Sequence, residues 1–169
     1  SKSNEIVAMP ELLRLLDVSG CMVTIDAMGC QTKIAQTSRD EKADYILQVK
    51  DNQSHLKQDL QDWLAYGDKQ AFKGMQMDFH QTTHKTSGRM EICRCWVVSD
   101  PLTFEYIRHC EGWADLNSII RIQRERREGE QISHETAYYI SSLSAHAALM
   151  VDATQHHRGI ENSFHWVLD

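Results

Sequence analysis

Asp26 follows the apolar run Cys21-Met22-Val23-Thr24-Ile25, and Glu161 lies in Arg158-Gly159-Ile160-Glu161-Asn162 near the other end of a 169-residue chain. A carboxylate at the end of a buried strand is held rigidly with its oxygens at the edge of a sheet, and such oxygens suit a hard cation such as Mg²⁺. If the fold brings the two acids together, they support metal-assisted phosphodiester chemistry. In that chemistry ions roughly 3.5–4 Å apart activate the attacking oxygen and stabilise the departing one. Sites of this kind usually take at least three carboxylates. The chain offers two strong candidates, with Asp44, Asp51 and Glu91 as weaker ones. Taken singly, Asp26 reads more readily as a turn or capping residue, so the pair carries the argument.

Other chemistries find less support. His157, Glu161 and His165 recur every four residues and would share one face of a continuous helix. The outer two would then stand roughly 12 Å apart, too far for a single zinc. Cys93 and Cys95 have one residue between them, where zinc ribbons and fingers have two to four. There is no serine elbow, no cysteine–histidine context and no Gly-rich phosphate loop. Trp63, Trp96, Trp113 and Trp166 read as core anchors before base-stacking platforms.

The elements that must position the acids follow from periodicity. Residues 21–25 form a short apolar strand and Ala43–Val49 a second, with the polar segment 31–42 between them as a helix. Strand, helix, strand implies a parallel pair with a crossover. Pro10 and the leucines after it predict a helix beginning at the proline. Leu56, Leu60, Trp63 and Leu64 predict another, with Ser54 as its N-cap. From Met75 the pattern turns extended: two hairpins, turning near Ser87-Gly88 and Glu128-Gly129-Glu130, span about 75–141. Ser144 is expected to cap a helical tract over 145–168, interrupted near Gly159.

A chain of this length with 41% hydrophobic residues supports one domain. The expected layout is a core from 1–66 and 142–169 with a β-rich insertion at about 75–141. No long apolar run marks a membrane span and no secretory signal opens the chain, so a cytoplasmic protein is expected. The five cysteines, an odd number, fit a reducing compartment. Net charge is −6, which argues against a dedicated nucleic-acid module. Arg121, Arg124, Arg126 and Arg127 nevertheless cluster within seven residues, either as a stripe that attracts phosphate or as a solvated hairpin arm. Lys50, Asn52, His157, Arg158 and Asn162 complete the candidate DNA contacts.

Several strings, in order, resemble the DDE transposases of the H-repeat-associated insertion-sequence type. They are Ser3-Asn4-Glu5-Ile6, Val23-Thr24-Ile25-Asp26-Ala27, Ala43-Asp44-Tyr45-Ile46-Leu47 and Lys50-Asp51-Asn52-Gln53. They continue with Gly88-Arg89-Met90-Glu91, Tyr138 to Leu143 and Gly159 to Asp169, so the resemblance covers almost the whole length. It implies a ribonuclease-H-like domain with a β-rich insertion before the last helix. It also implies that Asp26 and Glu161 are the second and third acids of an Asp-Asp-Glu triad holding Mg²⁺ or Mn²⁺ for DNA cleavage and strand transfer. In that family the first acid and the first three strands lie upstream of the Ser-Asn-Glu-Ile string. The chain also has Gln155, Arg158 and Ser87 where members tend to have Arg, Trp and His.

Two expectations follow from the resemblance. The segment should not cleave DNA by itself, and a non-catalytic folded DNA-binding or interaction module stays open as an alternative. Residues 21–25 should lose a neighbouring strand, exposing an apolar edge through which the chain would form homo-oligomers.

Overall fold

The computed structural model describes residues 2–27, 30–155 and 165–168. The parallel unit forms as its pattern implies. β1 (Cys21–Ile25) and β2 (Asp44–Val49) lie side by side, with Met22 opposite Asp44 and Ile25 opposite Leu47, and α2 (Thr32–Asp40) crosses between them. All of β1 is buried, as a strand covered on both faces should be. α1 (Lys2–Leu15) does not begin at Pro10; the proline lies inside it. An interior proline forfeits a backbone bond, and burial of Met9 and Leu13 in the core offsets that loss.

α3 (Ser54–Lys69) enters from a 3₁₀ turn, Asp51–Gln53. Gln53 therefore takes the N-cap position expected of Ser54, and it makes no side-chain cap bond. Leu56, Leu60 and Leu64 are buried at the predicted helical spacing.

The extended middle forms β3 (Met77–Thr86), β4 (Arg89–Val98), β5 (Ser118–Glu128) and β6 (Gln131–Ser141). Gly88 and Gly129 turn the two hairpins with φ of 76° and 58°, a backbone region that favours glycine. α4 (Pro101–Tyr106), absent from the sequence reading, carries a legible start signal: Asp100 accepts from Leu102 N at 3.1 Å, and Pro101 occupies the first turn.

The hairpins are not a separate layer. β6 pairs antiparallel with β2, and one seven-stranded sheet results, in the order β3-β4-β5-β6-β2-β1-β7. Ser141 Oγ donates to Tyr45 O at 2.7 Å, and Tyr45 N donates to Ser142 Oγ at 2.9 Å, stitching that junction. Mixed α/β architecture is thus observed.

The C-terminal reading needs correction. The helix described there is α5 (Ala147–Gln155), whose Ala147 N donates to Asp78 Oδ2 across the fold at 2.7 Å rather than being capped by Ser144. His165–Leu168 is a strand, β7, antiparallel to β1, with Cys21 opposite Leu168 and Thr24 opposite His165. The outer edge of β1 is therefore covered by its own chain. That overturns the expectation of an unpaired edge and removes the ground for homo-oligomers through it. Buried backbone groups demand partners, and the β-prone His-Trp-Val-Leu segment supplies them. The continuous helix on which His157, Glu161 and His165 would share a face is not formed, because His165 is on a strand; His157 and Glu161 lie outside the described residues.

Two apolar layers enclose the sheet. Val23, Ile25, Tyr45, Leu47, Ile119 and Ile140 pack with α1, α2 and α3 on one face. Met22, Ile46, Ile120, Ile122 and Tyr139 pack with α5 on the other. Among the described residues no helix is long and apolar enough to cross a membrane.

Candidate metal and nucleic-acid face

Parallel strands end at a common border, and β1 and β2 bring Asp26, Gln48 and Lys50 to it. Asp26 follows Ile25, which is opposite Leu47, and Gln48 follows Leu47. Alternation along β1 carries Met22, Thr24 and Asp26 onto the face covered by α5; along β2 it carries Ile46, Gln48 and Lys50 there. Asp26 is half-buried. Beside it on the same strand face, Thr24 Oγ1 is buried without a hydrogen-bond partner among the described residues.

The segment after Asp26 is held from the turn that follows β2. Asn52 Nδ2 donates to Ala27 O at 2.7 Å and Gln53 Nε2 donates to Cys30 O at 2.8 Å. The amide donor of Asn52, a candidate DNA contact, is thus committed to the loop. Gln53 was missed; its place in the Lys50–Gln53 string was the only signal.

The arginine cluster divides. Arg121 is buried, reaches Asp68 through both terminal nitrogens at 2.7 and 2.8 Å, and lies 4.2 Å over the Trp96 ring. It braces β5 against α3 with both terminal nitrogens on Asp68, while its Nε is buried without a hydrogen-bond partner among the described residues. Arg126 bonds Glu128 at 2.8 Å and Arg127 bonds Glu125 at 2.7 Å. Both arginines are exposed, so these pairs are weak and exchangeable. Arg124 makes no ion pair with a described carboxylate, and its Nη2 is buried without a hydrogen-bond partner among the described residues.

The weaker acids are not drawn to Asp26. Asp44 is tied to Arg39 at 2.9 Å, Asp51 to Lys57 at 3.0 Å, and Glu91 to Arg89 at 3.1 Å. Glu161, His157, Arg158 and Asn162 lie outside the described residues. Among the described residues no group of three His, Cys, Asp or Glu could hold a metal ion. The donor available at the strand end, a carboxylate beside an unpartnered hydroxyl, is oxygen-only and fits a hard divalent cation.

Burial pushes the Cys30 and Cys95 thiols up to about 12, leaving both protonated at neutral pH and poor nucleophiles. Burial likewise raises Tyr139 to about 12, so its hydroxyl keeps its proton on the α5 face.

The family described as "Transposase DDE domain" matches residues 1–169. The chain is 38% identical over 174 residues to "Putative transposase YncI" of Escherichia coli O157:H7, covering 100% of this chain and 43% of that protein. It is 35% identical over 178 residues to "Putative protein YbfL" of Escherichia coli K12, covering 99% of this chain and 44% of that protein. It is also 34% identical over 178 residues to "H repeat-associated putative transposase YhhI" of the same strain, again covering 99% and 44%. The chain spans less than half the length of these relatives, and no solved structure matches it. With a full-length family match and relatives above 30% identity across almost every residue, the chain belongs to the transposase DDE domain family.

Proposed function

We propose that the chain is the part of a DNA transposase that supplies two of its metal-binding carboxylates, Asp26 and Glu161, for phosphodiester cleavage and strand transfer. The observation that carries the reading is the position of Asp26 directly after a wholly buried strand in a chain of this family, and strand alternation assigns it to the face of Met22 and Thr24. Glu161 belongs to the segment that follows α5. Together the two acids would hold Mg²⁺ or Mn²⁺, which when bound supplies Lewis acidity for activating water or a DNA 3′-hydroxyl. What the chain itself contributes is position: Asn52 and Gln53 hold the loop beyond Asp26 from the turn after β2. Lys50, Arg124, Arg126 and Arg127 are the cations available to DNA. We further take β1 and β2 as late strands of a ribonuclease-H-like sheet whose earlier strands and first acid come from elsewhere in the longer protein. The antiparallel strands between α3 and α5 are then its insertion. Two acids hold two ions poorly, so cleavage by this chain alone should be absent.

Mn²⁺ titration followed by electron paramagnetic resonance tests the reading. Weak binding lost in both Asp26→Asn and Glu161→Gln is the expected result. Binding indifferent to either change would overturn the site, and undiminished nicking of plasmid DNA by Asp26→Asn would overturn the chemistry. No Mn²⁺ binding in any form would favour a non-catalytic folded module.

A further inference from the structure

The face that carries Asp26 has a second polar feature. Between the end of β2 and the strands β5 and β6 lies a cavity of about 180 Å³, bordered by Gln48, Lys50, Arg124, Glu135, Tyr139 and Thr154. At roughly 30 Å³ per water it has room for about six waters, enough for a tetrahedral oxyanion with part of its hydration shell.

Its cations are the uncommitted ones. Of the four arginines of β5, three are paired with Asp68, Glu128 and Glu125. Arg124 alone has no described carboxylate partner, although Glu135 is its direct neighbour across β6. Its Nη2 is enclosed yet without a hydrogen-bond partner among the described residues. A buried guanidinium nitrogen without an acceptor is costly, and an acceptor arriving from outside would relieve that cost. Lys50 is exposed and makes no ion pair among the described residues. Thr154 adds nothing, since its hydroxyl donates to Met150 O at 2.8 Å. Tyr139 presents a protonated phenol. Among the described residues of the lining Glu135 is the carboxylate and Lys50 and Arg124 are the cations.

We propose that Lys50 and Arg124 form a subsite for one phosphate group of a nucleic-acid backbone, on the same sheet face as Asp26. Arg124 supplies the directed fork and Lys50 the mobile charge, a division that suits a phosphate oxygen pair. The proposal rests on the transposase reading for its ligand, a DNA strand. It goes further by selecting one arginine from four and joining it to a lysine 74 positions earlier in the chain. A DNA strand crossing this face would be gripped beside the carboxylate rather than along the exposed hairpin arm.

The test titrates the whole chain with inorganic phosphate, followed by phosphorus NMR, and with a short DNA duplex at several salt concentrations. Arg124→Gln and Lys50→Gln should each weaken phosphate binding by about tenfold, the scale of one charge-assisted hydrogen bond. Each should also lower the slope of log affinity against log salt by about one. Arg89→Gln, which removes an exposed arginine already paired with Glu91, should change phosphate binding less than about twofold. Arg124→Lys keeps the charge and should retain part of the affinity, which covers the case in which glutamine disturbs folding. Circular dichroism establishes that each variant is folded. Phosphate binding that ignores both Arg124→Gln and Lys50→Gln, or that falls equally with Arg89→Gln, would overturn the subsite, as would no phosphate binding at all. Manganese binding at Asp26 is read separately: its survival alongside a failed subsite sinks this inference alone, and its loss beside an intact subsite sinks the metal reading alone.

Discussion

The two faces of the sheet are finished differently. Toward α1, α2 and α3 the sheet is apolar through its centre, where Val23, Ile25, Tyr45, Leu47, Ile119 and Ile140 expose 1% or less, and the buried Arg121 beyond them is matched by Asp68 of α3. Toward α5 it is apolar only in the middle, where Met22, Ile46, Ile120 and Ile122 meet the helix. Beyond them stand Thr24, Asp26, Gln48, Lys50, Arg124 and Glu135. A nine-residue helix is roughly 13 Å long and cannot span a seven-stranded sheet. Past its reach the positions are polar: carboxylates, cations and the Thr24 hydroxyl, which is buried without a hydrogen-bond partner among the described residues. One face holds the fold together; the other leaves room for chemistry.

That contrast breaks most visibly under core truncation on the closed face. Leu60 of α3 is fully buried in the layer against β1 and β2. Leu60→Ala should destabilise the chain by about 2–5 kcal/mol in urea denaturation, through lost burial plus the cavity left behind. A loss below about 1 kcal/mol would mean that this face is looser than its burial implies, and the division between the two faces would fall.

A second test separates arginines that share a strand. Arg121 faces the side of α3, where Asp68 receives it, while Arg124 faces the side of α5. Arg121→Met should lower stability by about 1–2 kcal/mol, the lower part of the range for bonds to charged groups, because the abandoned Asp68 is half-exposed and can rehydrate. Phosphate and duplex binding should stay as in the parent protein. If Arg121→Met leaves stability intact but weakens DNA binding, the assignment of brace and ligand among these arginines is reversed.

These arginines also show how far the sequence could be read. Period-two alternation separates Arg121 and Arg127 from Arg124 and Arg126, but which set is covered depends on where α3 lands. Asp68 lies 53 positions from Arg121, and no local pattern announces that pairing. Leu56, Leu60 and Leu64 were legible because helical spacing is local, and both hairpins were legible because a glycine turn joins neighbouring strands. The junction of β6 to β2 was not. It is specified by Ser141 and Ser142 meeting Tyr45, 96 and 97 positions away. The candidate site divides in the same way. Asp26 could be placed at a strand end from its apolar run, whereas Asn52 and Gln53 acquire their task only once the turn after β2 closes on Ala27 and Cys30.

The smallest expected effect sharpens the comparison from its structural side, through pH. Asp59 of α3 is buried and accepts from Arg108 N at 2.9 Å and from Arg108 Nη2 at 2.8 Å. Burial on its own would raise this carboxyl. The hydrogen bonds and charge of Arg108 outweigh burial and hold it below the ordinary carboxylate range. A folded-state value below the unfolded one contributes stability that is fully present above the unfolded value, about 3.9, and is lost as pH falls through the folded value. Asp59→Asn removes that titration while keeping an acceptor for Arg108. Its stability should therefore decline less steeply than the parent's as pH falls from about 5 toward 3. Manganese and phosphate binding at neutral pH should not change, because Arg108 and Asp59 belong to the α3–α4 side and not to the α5 face. Acid denaturation curves of the two proteins that run parallel would show that Asp59 titrates alike in the folded and unfolded chains. A variant that unfolds normally but loses manganese would instead show that the closed face reaches across the sheet to the metal-binding end.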